Sequence, residues 1–463
     1  MSALLSESDL NDFISPGLAC VKPTETIKGD ANGSNELEVG KESNEVEKVS
    51  ISLQDCLACS GCITSSEEIL LSRQSHTVFL EAWKALPEDA NLAVSIPPQS
   101  RLSLAKYYNM TLEDFDIVFL NFMRKYFGAR YVVGTQLGRS VTIKQTNDEL
   151  CRRKAAEQTA TPTLCAVCPG FVLYAEKSKP ELVPYLLDVK SPQQITGSLL
   201  KKAAPNIYHL TVMPCFDKKL EASRKDGDGE VDCVITPREF VTMLEELQLD
   251  INAYFEVSDR SSLLEACSPH GWDPEIHWGS NEGSSSGGFA FQYVLHEQKA
   301  HPGSKIITLE GKNSDIKEYR LVSGVENKII ASSSQLYGFR NIQNMVRKLT
   351  GSGTTTRNVK VLRKRSGNPS SQRKVAGSVA EPIKTDFIEV MACPGGCING
   401  GGLLNGEQNS SRRRALARTL EKEYEQNLPR VYDESSVNDT TPYKYNFTPI
   451  EKSSDVVTVG NTW

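Results

Sequence analysis

The sequence predicts an α/β protein whose strands alternate with helices around mostly parallel sheets. From about residue 75, short apolar runs recur, and several are followed by segments with apolar residues at helical spacing. Capping residues and prolines stand at the heads of those helical segments. At 463 residues, 39% of them hydrophobic, the chain is long enough to bury roughly two or three cores.

The elements follow in order. Leu4, Leu5, Leu10, Phe13 and Ile14 form short apolar groups that lead to Cys20. Residues 28–50 hold no aromatic and mix glutamates with lysines, which predicts a solvated loop. Order is expected to resume at Val49-Ser-Ile-Ser-Leu. Thr111-Leu-Glu-Asp opens a helix with a capping pattern. Phe115, Val118, Phe119, Phe122, Met123 and Tyr126 share its apolar face, and Gly128 is placed to end it. Strands are expected at Tyr131-Val-Val, at 207–213 and at 232–235; Pro237 then starts a helix through Phe240, Met243, Leu244 and Leu247. Further strands at 305–309 and 387–391 bracket a helix from Gly338 to Leu349. Between them, residues 351–381 turn to Gly, Ser, Thr, Arg and Lys; Arg357 to Lys374 carries seven basic residues and no acidic one. We read that stretch as a solvated insertion. The domain organisation expected is an N-terminal segment over 1–72, a first lobe over 73–205, a second over 206–410, and a helix with a polar tail over 411–463.

Composition narrows the function. The net charge is 52 − 58 = −6, so neither nucleic acid nor an anionic membrane is the expected main partner. The first residues lack the basic and apolar regions of a secretory signal. No stretch approaches the roughly 18 apolar residues of a membrane span, so no integral membrane segment is expected. In a reducing intracellular compartment, twelve cysteines point to metal ligation rather than disulfides. Cys151, Cys165, Cys233 and Cys267 lack any turn-forming setting and are expected to act as small core hydrophobes. The six histidines show no ligand spacing.

Cys56-Leu-Ala-Cys59-Ser-Gly-Cys62 lets one tight loop aim three sulfurs at one centre. Ile63-Thr-Ser-Ser66 follows, without the fourth cysteine that a ferredoxin run brings at that distance, so that ligand comes from elsewhere, and Cys20 is the natural candidate. An iron–sulfur cluster is the leading reading. A zinc site is the competing one, although zinc generally pairs two C-x₂-C knuckles and no second stands nearby.

A second set of cysteines occurs as Cys165-Ala-Val-Cys168-Pro-Gly, Met213-Pro-Cys215-Phe-Asp-Lys218 and Met391-Ala-Cys393-Pro-Gly-Gly-Cys397-Ile-Asn-Gly-Gly-Gly402. In this order the three segments resemble the signature motifs of iron-only hydrogenases. Ser191-Pro-Gln-Gln-Ile-Thr-Gly and Ser286-Gly-Gly-Phe extend the resemblance, which covers roughly residues 75–410. It implies two parallel-sheet lobes around a buried cluster. It also implies that Cys168, Cys215, Cys393 and Cys397 ligate a [4Fe–4S] cubane, with Met213, Met391 and Lys218 beside it. In the catalytic enzymes two adjacent cysteines precede Pro-Gly, and the first carries protons; here Val167 stands there, and an aliphatic side chain carries none. At the end of the third motif, Leu403-Leu404 replaces the polar-then-proline pair usual in the enzymes.

These departures, with the Cys20…Cys62 set and the terminal Trp463, resemble the non-catalytic eukaryotic branch of that family. These are the cytosolic iron–sulfur protein assembly factors, the nuclear architecture related or prelamin A recognition factor family. The resemblance implies two [4Fe–4S] clusters and no enzyme activity. It implies a cytoplasmic location, with the nucleus left open. It implies a role between a scaffold ATPase complex and a targeting complex containing a WD40-repeat protein, with Trp463 as a docking residue. The alternatives are an iron-only hydrogenase-type oxidoreductase and a zinc-stabilised interaction protein.

Overall fold

The computed structural model describes residues 74–156, 162–227, 229–256, 259–324, 328–351, 379–404 and 410–449. All fall within one compact unit, Ile69–Trp463. Cys20, Cys56, Cys59, Cys62, Trp463, the 28–50 loop and most of the 351–381 insertion lie outside the described residues.

The strands are β1 (Asn91–Ile96), β2 (Tyr131–Gly134), β3 (Thr163–Leu164), β4 (Ile207–Val212), β5 (Cys233–Ile235), β6 (Lys305–Glu310), β7 (Ile316–Val322), β8 (Ile329–Tyr337) and β9 (Phe387–Met391). Sheet A is wholly parallel in the order β2-β1-β4-β5, with Val94 level with both Val132 and Leu210. Strand β1 is buried from Leu92 to Ile96, as a strand covered on both faces must be. One face packs Val94, Val132 and Leu210 against Phe115, Phe119 and Phe122 of the helix Leu112–Lys125. The other sets Ala93, Val133 and Ile207 against Leu200 of the helix Pro192–Ala203.

The sequence signals for these helices operate as expected. Thr111 Oγ1 accepts from Asp114 N at 3.1 Å, and Gly128, at φ +68°, donates to Arg124 O at 3.1 Å beyond the helix end. Thr236 and Glu239 close a reciprocal capping box ahead of Pro237.

Sheet B departs from the mostly parallel expectation. Its order is β3-β9-β8-β7-β6; β3, β9 and β8 run parallel, whereas β8, β7 and β6 form an antiparallel meander. The physical reason lies in connection length. Residues 311–315 and 323–328 suffice for hairpin turns but not for the crossover that a parallel partner requires. The expected division at 205/206 does not separate the sheets either. The chain leaves sheet A after β2, lays down β3 in sheet B, returns for β4 and β5, and then completes sheet B.

Candidate metal centre

Four chain segments leave the C-terminal ends of parallel strands and converge. They are Pro97–Gln99 after β1, Met213–Lys218 after β4, Val167–Pro169 after β3 and Ala392–Gly400 after β9, and they line one cavity. In sheet A, β1 has β2 on one side and β4 on the other. At such a switch point the outgoing segments diverge and leave a crevice. Cys168, Cys215, Cys393 and Cys397 all line this cavity, together with Met213, Met391, Lys218 and Val167.

Each thiol is held by backbone. Cys168 is the N-cap of the helix Pro169–Ser178, with Pro169 at its first position, and Ala392 N approaches its Sγ at 3.4 Å. Cys215 follows Pro214, whose carbonyl accepts from Gly402 N at 2.9 Å and so ties the second motif to the third. That approach requires glycine: a Cβ at Gly402 would stand 2.6 Å from Thr236 Cγ2, and one at Gly400 would overlap the Pro214 carbonyl oxygen. Gly395 and Gly396, at φ +75° and +85°, reverse the chain between Cys393 and Cys397. Cys397 N donates to Ser286 Oγ at 2.9 Å, and its Sγ lies 3.7 Å from Met391 Sδ.

Lys218 supplies a buried cation. Its Nζ donates to Glu221 at 2.9 and 3.0 Å and to Val167 O at 3.2 Å. Burial works against this charge, but the Glu221 carboxylate outweighs it and leaves the lysine pKa above its usual value. Ser191 Oγ donates to Glu221 at 2.8 Å, Gln193 to Lys218 O at 3.1 Å and Gln194 to Glu221 O at 3.0 Å. The Ser191-Pro-Gln-Gln segment thus fixes the Met-Pro-Cys turn. Burial also raises the thiols: Cys168 upward, Cys215 well above its ordinary value and Cys397 to about 12. Metal ligation by these thiols would therefore release protons.

The donor set fits a cysteine-ligated cluster. Soft thiols on glycine-permitted turns face a space whose other walls mix Pro97, Met213, Met391 and Val167 with Gln193, Asp217 and Ser286. Two buried cations, Lys218 and Arg139, suit an anionic guest. Among the described residues no group of three or more His, Cys, Asp or Glu converges on a single ion; these thiols surround a volume rather than a point. Val167 forms part of the wall, while Cys165, 1% exposed, packs into the sheet B core.

Cys233 and Cys267 fill the sheet A core, as expected. Cys151 does not follow that expectation: it is half-buried and lies 3.6 Å from His296 Nε2. Sequence reasoning missed Glu221 and Glu389. Glu389 is fully buried in β9, where it accepts from Ala290 N and Tyr337 OH at 2.9 Å each. The available signal was a lone carboxylate inside an apolar strand.

Residues 90–401 match the family model of the iron only hydrogenase large subunit, C-terminal domain. The chain is 59% identical, over the whole of both chains, to a protein of Kluyveromyces lactis named cytosolic Fe-S cluster assembly factor NAR1. It is 52% identical, again over both whole chains, to a Saccharomyces cerevisiae protein of the same name. Among solved structures it is similar to the FeFe-hydrogenase HydA1 of Chlamydomonas reinhardtii, with a TM-score of 0.57, 20% identity, and coverage of 78% of this chain and 92% of that one. That last likeness shows the fold alone. The chain belongs to the iron-only hydrogenase-like family of cytosolic Fe-S cluster assembly factors.

Proposed function

We propose that this protein works in cytosolic iron–sulfur assembly as a cluster-binding adaptor without hydrogenase activity. It binds two [4Fe–4S] clusters, one through Cys20, Cys56, Cys59 and Cys62 and one through Cys168, Cys215, Cys393 and Cys397. It links a scaffold ATPase complex to a WD40-containing targeting complex in the cytoplasm, and Trp463 docks it there. The observation that carries the reading is the convergence of three cysteine motifs, distant in sequence, on one cavity walled by Val167. The names of relatives 59% and 52% identical to it support the pathway.

A bound cubane supplies an electron-transfer or structural iron–sulfur centre. The chain's own residues do the rest. Four thiolates hold iron, Lys218 offsets their negative charge, and Glu221 keeps that lysine protonated and aimed. Val167 offers no proton acceptor where the catalytic enzymes place a thiol, so the thiol relay of those enzymes is missing here. Cells whose own relative is replaced by this chain provide the test. Iron occupancy of cytosolic iron–sulfur enzymes should be sustained by the intact chain and lost in Cys397→Ser, with mitochondrial enzymes unchanged. Deletion of Trp463 should weaken pull-down of the targeting complex and leave both clusters loaded. Hydrogen evolution by the purified protein, or unchanged cytosolic enzymes in Cys397→Ser, would refute the reading.

A further inference from the structure

Away from the cavity, three elements bring together a thiol, an imidazole and a carboxylate. Cys151 lies near the end of the helix Gln136–Ala155, His296 on the helix Phe289–Ala300, and Glu434 on the short 3-10 turn Glu434–Ser436. Cys151 Sγ is 3.6 Å from His296 Nε2, and His296 Nδ1 is 2.9 Å from Glu434 Oε2. The order nucleophile, base, orienting carboxylate is the arrangement that activates a thiol. We infer that Cys151 is a reactive thiol site, activated by His296 and Glu434, that undergoes exchange with small disulfides.

The surrounding charges have been weighed. Glu297 Oε1 also lies 3.5 Å from Cys151 Sγ and opposes a thiolate there, but Lys154 Nζ, at 3.3 Å from its Oε2, already engages it. Glu434 meets His296 Nδ1 directly at 2.9 Å and holds the ring with its Nε2 toward the sulfur. The other titratable neighbours are Lys144 and Asp148 on the cysteine's helix, Lys299 beside His296, Tyr293 near Cys151 and Tyr432 near Glu434. Moving the proton from sulfur to imidazole changes no net charge in the group. Its contacts with Cys151 and Glu434 raise the His296 pKa to about 10, so the imidazolium persists at neutral pH. None of these residues lines the cavity.

The step balances without an added oxidant. The Cys151 thiolate attacks one sulfur of a disulfide RS–SR, a Cys151–S–SR bond forms, the S–S bond breaks, and the departing RS⁻ takes the proton held on His296. Cys151 is half-buried, whereas Cys233 and Cys267 are sealed in the core.

Iodoacetamide labelling of the anaerobic, cluster-loaded full chain, resolved peptide by peptide, tests this. The labelling rate at Cys151 should change less than about threefold between about pH 6 and about pH 8. In His296→Asn it should fall about tenfold per pH unit below about 8.5, the behaviour of a free thiol, and Glu434→Gln should fall between the two. Bis-hydroxyethyl disulfide should give a mixed disulfide at Cys151. Iron content must stay constant across the set, which separates a local change from misfolding. A wild-type rate that rises tenfold per unit across that range, a profile unmoved in both variants, or no mixed disulfide would overturn the inference.

Discussion

In sheet A, β4 ends in Met213-Pro214-Cys215 and delivers one thiol and the Lys218 cation. In sheet B, β3 and β9 end in turns that deliver Cys168, Cys393 and Cys397. The antiparallel strands β6 and β7 of the same sheet supply none of the cavity thiols. Parallel strands bring their C-terminal ends to one edge, so loops far apart in sequence meet there; a meander returns its ends alternately and cannot gather them. What separates a candidate ligand from a core cysteine is therefore its place just beyond a parallel strand, on a turn rich in Pro and Gly. Cys233, inside β5, and Cys267, at the end of the helix Arg260–Cys267, lack that place and are packed away.

The largest expected effect falls on sheet A's cation. Glu221→Gln leaves Lys218 buried without its carboxylate and should destabilise the fold by about 3–5 kcal/mol, measured by urea unfolding. Adding Lys218→Met should recover most of that loss. If the single variant unfolds like wild type, Lys218 does not depend on Glu221.

Acid should separate the two halves. Burial lowers the pKa of His209 to about 4 and that of His277 to about 3, both at sheet A. His209 Nδ1 faces Glu230 O and its Nε2 faces Ser95 Oγ; His277 accepts from Gly134 N. Neither contact supplies a carboxylate for an imidazolium. Below about pH 6.5 the unfolded chain protonates these histidines and the folded one does not. Their stability contribution is thus whole above that pH and lost as it falls through about 4 and then 3, on the order of 3 kcal/mol for His209 and about 5 kcal/mol for His277. His296, on the sheet B side, has the opposite sign. Its raised pKa stabilises the fold below about 6.5, and that contribution disappears as pH climbs through about 10. Hydrogen exchange during acid titration should show β4 amides losing protection before those of β9; the reverse order would contradict this assignment.

Smaller effects sharpen the distinction between cysteines. Gly402→Ala pushes a methyl against Thr236 and the Pro214 carbonyl; about 1–3 kcal/mol of stability and part of the central iron should be lost together. Cys267→Ala should lower stability by only about 1 kcal/mol and release no iron, as metal analysis would record.

Much of this was legible beforehand. The helix Leu112–Lys125 was readable because Thr111 caps it, aromatics fill one stripe and Gly128 stops it. The three cysteine motifs were readable because thiols beside Pro and Gly have few other uses. The helix Gln136–Ala155 was not. It is largely buried yet polar, because Gln136, Arg139 and Thr142 each find a hydrogen-bond partner inside the protein, and periodicity registers only apolar faces. Strands β7 and β8 escaped notice because β8 carries Ser332, Ser333 and Ser334 in its buried centre. Glu221 could not be paired with Lys218 in advance, since only the helix Asp217–Ala222 turns the two side chains together.

Iron and acid-labile sulfide counts on anaerobically purified Cys397→Ser and Cys59→Ser chains test the central claim most directly. Two separate cubanes predict that wild type holds about eight irons and each variant about four, with Cys397→Ser alone losing thermal stability of the body. A Cys397→Ser chain that keeps its full complement of iron would show that the cavity between the two sheets holds no cluster.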